Sequence, residues 1–186
     1  MNSDIERNIF EKVDKASTFE EGFRILVHNY QEKLYWHIRR IVHVHDDADD
    51  VLQNTFIKVF KNLSTFKRES KLYTWLYRIA TNEALSFLKK KKTAVTLDDP
   101  DLYIDKVVTA DSYFDAEEAN VLLLKAIERL PEKQKLVFNM RYYDEMDYKS
   151  ISEVLKVSIG GLKASYHHAL KKVEQYLVDN YDYSNG

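Results

Sequence analysis

The stretch SIGGLKASYHHALKKVEQYL, residues 158–177, decides the fold of the C-terminal part of the chain. Its apolar residues recur at steps of three and four, which predicts one buried stripe along an α-helix: Ile159, Leu162, Tyr166, Ala169, Leu170, Val173 and Leu177. Ser158 is a favourable N-cap for this helix, because its hydroxyl can accept a hydrogen bond from an unpaired backbone N–H. The opposite face contains no acid and consists of small, hydrogen-bonding or basic residues: Gly160, Gly161, Lys163, Ala164, Ser165, His167, His168, Lys171 and Lys172.

Two shorter helices are predicted before this one. Residues 148–155 form a segment that would bury Ile151, Val154 and Leu155, and Lys156-Val157 is a tight connection to the cap at Ser158. Further upstream, Pro131 suits the first turn of a helix, where its missing N–H costs nothing. The inner face of that supporting helix is predicted to be Leu136, Val137, Met140 and Tyr143. Three short helices with a tight turn before the last are typical of a helix-turn-helix, whose last helix can enter the major groove of DNA.

Composition limits the class of protein. A chain of 186 residues holds one domain or two small ones, and it has no cysteine for a disulfide framework or a cysteine-ligated zinc. No run approaches the roughly 20 apolar residues of a membrane span, and the N-terminus has no signal-peptide pattern. Only four glycines and two prolines interrupt the sequence. We therefore expect a soluble, cytoplasmic, all-α protein.

Charge is segregated along the chain. Residues 1–92 carry a net charge of +4 and residues 119–186 carry +1, whereas residues 93–118 carry one lysine and eight acids, a net charge of -7. The middle segment has no sustained helical stripe, so it is interpreted as an acidic linker between two small helical domains. A connecting loop with no further role explains the composition equally well.

Residues 1–92 are predicted to form a bundle of three long helices. The first would begin at a capping box, with Ser17 or Thr18 followed three residues later by glutamate. Its predicted inner stripe is Phe23, Leu26, Val27, Tyr30, Leu34, Ile38 and Ile41. A second helix starts near Asp46-Asp47, acids that favour the positive end of a helix dipole, and would bury Ala48, Val51, Leu52, Phe56, Val59 and Leu63. A third runs from about Tyr73 to Lys92 with four residues inward: Trp75, Ile79, Leu85 and Leu88.

The loop between the second and third helices, STFKRESKLY at residues 64–73, interleaves basic and aromatic residues. Single-stranded nucleic acid is bound by such a mixture, because bases stack on aromatic rings while cations hold the backbone. The candidate contacts are Phe66, Lys67, Arg68, Lys71 and Tyr73. Alternatively, the aromatic residues Phe66, Tyr73 and Trp75 close the top of the bundle, which is the preferred interpretation for Trp75 because it is in phase with Ile79.

Four segments resemble the extracytoplasmic-function (ECF) sigma factors. Residues 47–56, DADDVLQNTF, resemble the D-A-E-D-L-V-Q-E-T-F segment of that family, and residues 75–82, WLYRIATN, its W-L-x-x-I-A-x-N segment. Residues 130–143 resemble L-P-x-x-Q-R-x-V-F-x-L-R-Y, and residues 148–172 resemble Y-x-E-I-A-x-x-L-x-V-S-x-G-T-V-K-S-R-L-x-R-A-x-K-K. The four occur in the family's order over roughly residues 19–178, which makes the combination highly specific.

The resemblance implies a factor that binds core RNA polymerase, through its clamp helices and flap, and directs it to promoter DNA. The helix carrying Asp49, Asp50, Gln53 and Asn54 would dock on the clamp helices. Residues 1–92 would read and melt the minus-10 element with the loop residues above and Asn82, and residues 119–186 would read the minus-35 element. There, Lys163, Lys171 and Lys172 suit phosphates, and four residues suit base edges: Ala164, Ser165, His167 and His168. An anti-sigma factor is a further expected partner.

The chain departs from the family where the minus-35 element would be read. The usual arginines fall on Ser165 and His168, and the usual leucine on Tyr166. Arginine makes bidentate contacts to guanine that serine and histidine cannot make, so the promoter sequence stays open. Ser86 also replaces an aspartate that is common after the W-L-x-x-I-A-x-N segment.

An enzyme is not indicated. A metal site is conceivable around His43, His45 and the acids of residues 46–50, but His-x-His is not same-face helical spacing, and a helix start explains the acids. No phosphate-binding glycine loop or nucleophile motif is present, and no cofactor is implied. A second class stays open, a dimeric helix-turn-helix regulator of palindromic sites whose N-terminal bundle dimerises or senses. The loop at 64–73, the polar helix at 49–54 and the long linker favour the sigma factor.

Overall fold

A computed structural model of the protein describes residues 3–94 and 118–180. The chain divides into two compact units, residues 1–91 and residues 92–186. All regular structure in the described ranges is helical, which confirms the predicted all-α fold. Most of the segment interpreted as an acidic linker, residues 95–117, lies outside the described residues.

The N-terminal unit contains four α-helices in its described part. They are α1 (Ser3–Val13), α2 (Phe19–Val42), α3 (His45–Asn62) and α4 (Leu72–Ala94). Short 3₁₀ turns precede α2 at Ala16–Thr18 and follow α3 at Leu63–Thr65. Apolar side chains from all four helices make the core, and the largest of those that are fully enclosed are Ile9, Leu26, Leu34, Ile38, Leu72 and Leu76.

Helix α1 was not predicted from the sequence, and it packs closely on α2. Gly22 makes this approach possible, because a Cβ atom there would lie 2.8 Å from Val13 Cγ2 and 3.0 Å from the Ile9 carbonyl oxygen. The pKa of Tyr30 on α2 is raised far above its usual value. Burial is the main cause, and the Glu6 carboxylate of α1, which accepts a hydrogen bond from the phenol, is the second. The two helices are therefore joined by both close packing and a polar contact.

The predicted capping box at Ser17 or Thr18 is wrong. Thr18 is the N-cap residue of α2, but its side chain makes no cap hydrogen bond. Its hydroxyl instead donates to the carbonyl oxygen of Lys12 at 2.7 Å. Ser17 lies in the 3₁₀ turn before the helix. The Thr18 hydroxyl, predicted to cap the start of α2, is thus bonded to the end of α1 instead.

The inward residues of α3 and α4 were predicted in part. Ala48, Val51, Val59 and Leu63 are buried, whereas Leu52, Phe56, Ile79 and Leu88 are only partly covered. Leu85 is 41% exposed, so its inward assignment is wrong. In this turn of α4 the residue that faces the core is Ala84, which is fully buried. Leu85 follows Ala84 by about 100° around the helix axis, which places it on the exposed side of this part of α4.

The C-terminal unit contains α5 (Glu118–Glu128), α6 (Glu132–Tyr142), α7 (Tyr148–Leu155) and α8 (Ile159–Asn180). Its core joins α5, α6 and α8 through Ala126, Ile127, Leu130, Phe138, Ala169 and Val173. Pro131 is the N-cap residue of α6 rather than its first helical residue. The predicted bounds of α7 are confirmed.

The turn between α7 and α8 has the predicted tight geometry. Lys156 adopts the left-handed conformation with φ 58°, and its N–H donates to the Ser152 carbonyl oxygen at 2.9 Å. Ser158 then caps α8 by accepting from the Gly161 N–H at 3.2 Å, which confirms the predicted cap. A cap at α7 was missed: Asp147 Oδ1 accepts from the Ser150 N–H at 2.7 Å.

The buried stripe of α8 is narrower than predicted. Leu162, Ala169 and Val173 are buried, with Tyr166 and Leu177 partly covered beside them. Ile159 and Leu170 are 43% and 40% exposed, so their assignment to the buried stripe is wrong. Leu170 lies about 100° around the helix from Ala169 and therefore outside the contact with α5 and α6.

Candidate functional site

Helix α8 presents the basic face expected of a groove-binding helix. Six of its candidate contact residues are exposed: Lys163, Ala164, His167, His168, Lys171 and Lys172. The seventh, Ser165, is partly covered. No acid stands between Ser158 and Val173, and Glu174 is the first after the basic face. Because the buried stripe anchors one side of the helix in the core, this face projects from a rigid support.

Aromatic stacking fixes the middle of α8. The Tyr166 ring stacks on Phe138 with centroids 5.8 Å apart and meets Tyr148 edge-on at 6.4 Å. Burial raises the pKa of the Tyr166 phenol above its ordinary value. Tyr166 is therefore an inward anchor, and the face that remains for a ligand is the one on which His167 and His168 lie.

Two cations flank the ring of Tyr148, at the start of α7. The Lys163 Nζ lies 5.9 Å from the ring centroid, and the Arg141 guanidinium lies 5.4 Å from it. Arg141 also donates to the carbonyl oxygen of Met146 at 3.0 Å, which holds its side chain in place. Arg141 and Tyr148 thus extend the basic surface beyond α8. The sequence assigned them no role because their proximity depends on how α6, α7 and α8 pack.

The loop after α3 is built around Phe66. Its ring stacks on Trp75 of α4, with centroids 4.8 Å apart, and faces Phe10 of α1 at 6.0 Å. Phe66 is partly covered, and Trp75 is buried. These rings close the bundle, in agreement with the alternative interpretation of the aromatic residues. Only the uncovered part of Phe66 is left for contact with a base.

The cations of this loop have different environments. Lys67 and Lys71 are exposed, and the Lys71 Nζ lies 5.5 Å from the ring centroid of Tyr73. The Arg68 guanidinium instead lies 4.3 Å from the ring centroid of Phe10 and pairs with the carboxylate of Asp14. Lysine is a compact point charge suited to phosphates, so Lys67 and Lys71 are the loop cations best placed for a ligand.

Asn82 is exposed on α4, directly after a residue that ties α4 to α2. Thr81 is buried, and its hydroxyl donates to the Tyr77 carbonyl oxygen at 2.7 Å. The Thr81 hydroxyl oxygen also lies 2.9 Å from His37 Nε2. Because the hydroxyl proton is already used, Nε2 of His37 must carry the proton in this contact. This buried bond fixes the turn of α4 that presents Asn82, and neither His37 nor Thr81 was singled out from the sequence.

Helix α3 presents a polar face opposite its buried one. Asp49, Asp50, Gln53 and Asn54 are all exposed. His45 bridges the start of this face to α2, since its Nδ1 lies 2.6 Å from the Tyr35 hydroxyl and its Nε2 lies 3.5 Å from Asp49 Oδ2. One turn beyond Gln53 and Asn54, Ile57 is 46% exposed. It adds to this face an exposed apolar side chain that the sequence interpretation missed.

Asp47 and His43 have structural contacts where α2 meets α3. Asp47 Oδ2 accepts from the Lys91 Nζ at 2.5 Å, and His43 ends α2 in the left-handed conformation. Within residues 3–94 and 118–180, no three His, Cys, Asp or Glu side chains form a group that could hold a metal ion. None of the helices described is long and apolar enough to cross a membrane.

Two family models match the chain in sequence order. The model of Sigma-70 region 2 matches residues 26–93, and that of Sigma-70, region 4 matches residues 120–173. The first match covers α3, α4 and most of α2, and the second covers α6, α7 and the basic face of α8. Helix α1 lies outside both matches.

Relatives are similar over most of their length. The chain is 29% identical over 171 residues to the ECF RNA polymerase sigma factor SigW of Bacillus subtilis (strain 168), which covers 86% of this chain and 91% of SigW. It is 26% identical over 182 residues to the RNA polymerase sigma-H factor of Pseudomonas aeruginosa, covering 92% of this chain and 93% of that factor.

The fold is similar to a solved sigma factor. The co-crystal structure of the sigma factor RpoE in complex with the anti-sigma factor NepR from Bartonella quintana matches with a TM-score of 0.68 and 19% sequence identity. The match covers 85% of this chain and 98% of that chain. At this identity the likeness concerns the fold alone.

Proposed function

Because this chain belongs to the extracytoplasmic-function family of RNA polymerase sigma factors, we propose that its two units read the two elements of a promoter. Members of the family are non-catalytic factors of transcription initiation. Residues 1–92 read and melt the minus-10 element, residues 119–186 read the minus-35 element, and residues 93–118 link them. The site of action is the cytoplasm, where the polymerase transcribes.

The observation that carries this proposal is the two-sided character of α8. One side is anchored by Leu162, Ala169 and Val173, and the other is exposed and free of acid up to Val173. Lys163, Lys171 and Lys172 supply cations for phosphates, which give affinity without sequence information. Ala164, Ser165, His167 and His168 are proposed to meet base edges, where sequence is read.

In the N-terminal unit, the loop after α3 is proposed to hold the opened minus-10 strand. Lys67 and Lys71 would bind its phosphates, while the uncovered parts of Phe66 and Tyr73 and the side chain of Asn82 would meet bases. Strand binding by such loops combines cations with aromatic faces, and here both come from one short segment. Arg68 is not proposed to bind the strand directly, because its guanidinium already contacts Phe10 of α1 and the Asp14 carboxylate.

The polar face of α3 is proposed to dock on the clamp helices of core RNA polymerase. Asp49, Asp50, Gln53 and Asn54 would supply the polar contacts, and Ile57 would supply an apolar contact at the end of the same face. The flap of the polymerase is the proposed partner of the C-terminal unit. An anti-sigma factor is proposed as a regulator, since the similar RpoE is in complex with the anti-sigma factor NepR.

Run-off transcription with purified core polymerase tests the function directly. With promoter-containing genomic fragments as templates, the protein should produce discrete transcripts from a subset of fragments that core polymerase alone does not transcribe. Specific binding of the isolated protein to palindromic fragments, without any new transcript, would instead support a dimeric regulator.

The docking face can be tested by replacing Gln53 and Asn54 with alanine. Both side chains are exposed, so the bundle should keep its stability while affinity for core polymerase falls about tenfold, which corresponds to ~1.4 kcal/mol. Gln31 and Glu32, an exposed polar pair on α2, provide the matched control, and their alanine variants should bind normally. Equal binding by both double variants in a titration with labelled core polymerase would remove the docking assignment.

The face of α8 predicts two distinguishable effects. Lys171→Ala should weaken binding to all promoters alike and reduce the salt slope of binding by about one, since it removes a single phosphate contact. His168→Arg should instead change which minus-35 sequences are selected, because arginine adds a bidentate contact to guanine of about 1–3 kcal/mol. Selection from a randomised minus-35 library measures the second effect. Identical selected sequences for the wild type and His168→Arg would exclude His168 from readout.

A further inference from the structure

Helix α1 contacts the loop that is proposed to hold the opened strand, although α1 lies outside the region 2 match. Phe10 faces the Phe66 ring at 6.0 Å with the planes 22° apart. Phe66 in turn stacks on Trp75, with centroids 4.8 Å and planes 30° apart. The three rings form one stack that runs from α1 through the loop to α4. Phe66 therefore contacts both α1 and α4.

Arg68 makes the second contact between the loop and α1. Its guanidinium lies 4.3 Å from the Phe10 ring centroid and pairs with the Asp14 carboxylate. The partners are 54 residues apart in sequence. One cation thus bonds at once to a ring and to an acid, both on α1 or directly after it.

The backbone of Arg68 is strained in a way that these contacts explain. Its φ is 59°, in the left-handed region that residues with a Cβ atom seldom adopt. A strained residue persists when its surroundings over-determine it. The side-chain bonds to Phe10 and Asp14 are such surroundings, and they fix the direction of the chain between Lys67 and Lys71.

Helix α1 is itself fixed well enough to serve as a support. It packs on α2 at Gly22, and the Lys12 Nζ pairs with Glu21 Oε1 at 2.7 Å. Thr18 adds the hydrogen bond to the Lys12 carbonyl oxygen. The loop is thereby connected through α1 to the long helix α2.

We propose that α1 is the support that holds this loop in its strand-binding conformation, and that Arg68 is a positioning residue acting through Phe10 and Asp14. The loop cations that touch the strand are then Lys67 and Lys71. This inference rests on the proposed function of the loop. It assigns to α1 a role in opening the minus-10 element that neither matched region contains.

Asp14 makes the inference testable, because direct electrostatics and positioning of the loop predict opposite changes in strand affinity when Asp14 is replaced. Removing an acid near an anionic strand should by itself strengthen binding. If Asp14 holds Arg68 and hence the loop, Asp14→Ala should weaken binding, by about fivefold. In a variant that keeps α1 folded, a loss of affinity can therefore arise only through the loop.

The experiment uses holoenzyme assembled with core polymerase and a promoter fragment found by run-off transcription, whose minus-10 segment is held open by a non-complementary template strand. Affinity is measured over a salt series for Asp14→Ala, Arg68→Ala and the double variant. We expect the two single variants and the double variant to lose the same factor of about five, with the salt slope unchanged. Lys67→Ala should lower the slope by about 0.7, the value for one phosphate contact on a single strand.

Asp4→Ala is the matched control, since it also removes an acid of α1 but breaks only the exposed Arg7–Asp4 ion pair, which does not touch the loop; it should bind like the wild type. Hydrogen exchange of the α1 amides checks that each variant keeps the helix. The inference is overturned if Arg68→Ala lowers the salt slope, or if the double variant loses the product of the two single losses. A normal salt slope and affinity for Lys67→Ala would refute strand binding by the loop itself. Because this result does not depend on the Asp14 variants, failure of the proposed function can be told apart from failure of the inference.

Discussion

Replacing Phe138 with alanine should destabilise the C-terminal unit by about 3–5 kcal/mol, the usual cost of removing a buried aromatic side chain. Phe138 is 1% exposed and lies where α5, α6 and α8 meet. Its ring also stacks on Tyr166, so its loss leaves both a cavity and an unsupported anchor of α8. The basic face of α8 would then no longer be held rigidly, although none of its own residues is changed.

Hydrogen exchange of the full chain measures this effect in each unit separately. In Phe138→Ala the amides of α6 and α8 should exchange faster, while those of α2 and α4 keep their protection. Tyr142 is the matched control: its ring also stacks on Phe138, with centroids 5.3 Å apart, but it is 50% exposed. Tyr142→Ala should cost no more than about 1.5 kcal/mol, the upper range of one aromatic pair. Unchanged protection of α8 in Phe138→Ala would contradict this description of the core.

Phe138 also shows what the sequence could and could not predict. The supporting helix was predicted from Leu136, Val137, Met140 and Tyr143, and its type and position were correct. Phe138, the largest buried side chain of this helix, was still missed, because the spacing of apolar residues alone does not say how wide a buried face is. Width depends on the neighbouring helices: α6 is covered on Val137, Phe138 and Met140, whereas α8 is covered on a narrow stripe that leaves Leu170 exposed.

Local signals were sufficient for two local features before α8, although the equally local Asp147 cap of α7 was missed. The Ser158 cap joins residues three apart, and the tight turn before α8 was predicted from the two residues that make it. The capping box at Thr18 failed for the opposite reason, because α1 takes that hydroxyl from outside the helix. In the candidate sites, the residue types were named from the sequence, but the contact of Arg68 with Phe10 and Asp14 was not. Nothing in a local pattern relates residues so far apart along the chain.

A leucine in place of Gly22 should produce the largest change in the N-terminal unit, because it would separate α1 from α2. Even a Cβ atom would lie 2.8 Å from Val13 Cγ2, 3.0 Å from the Ile9 carbonyl oxygen and 3.0 Å from Lys12 Cβ. Helix propensity alone would favour the change by about 0.8–1 kcal/mol. Overpacking a close contact costs about 1–3 kcal/mol and sometimes more. Since leucine adds three carbons beyond that Cβ, the steric cost should exceed the gain in propensity.

Gly160 in the other unit provides the matched control for this prediction. It also lies in a helix, but a Cβ atom there would meet nothing within 4 Å. Gly160→Leu should therefore leave the stability of its unit unchanged or slightly higher, while Gly22→Leu speeds hydrogen exchange in α1 and lowers the thermal stability of the bundle. If α1 also supports the loop, Gly22→Leu should impair opening of the minus-10 element in a permanganate footprint, and Arg68→Ala should do the same. Full protection of α1 in Gly22→Leu would mean that the two helices do not require the close approach seen at Gly22.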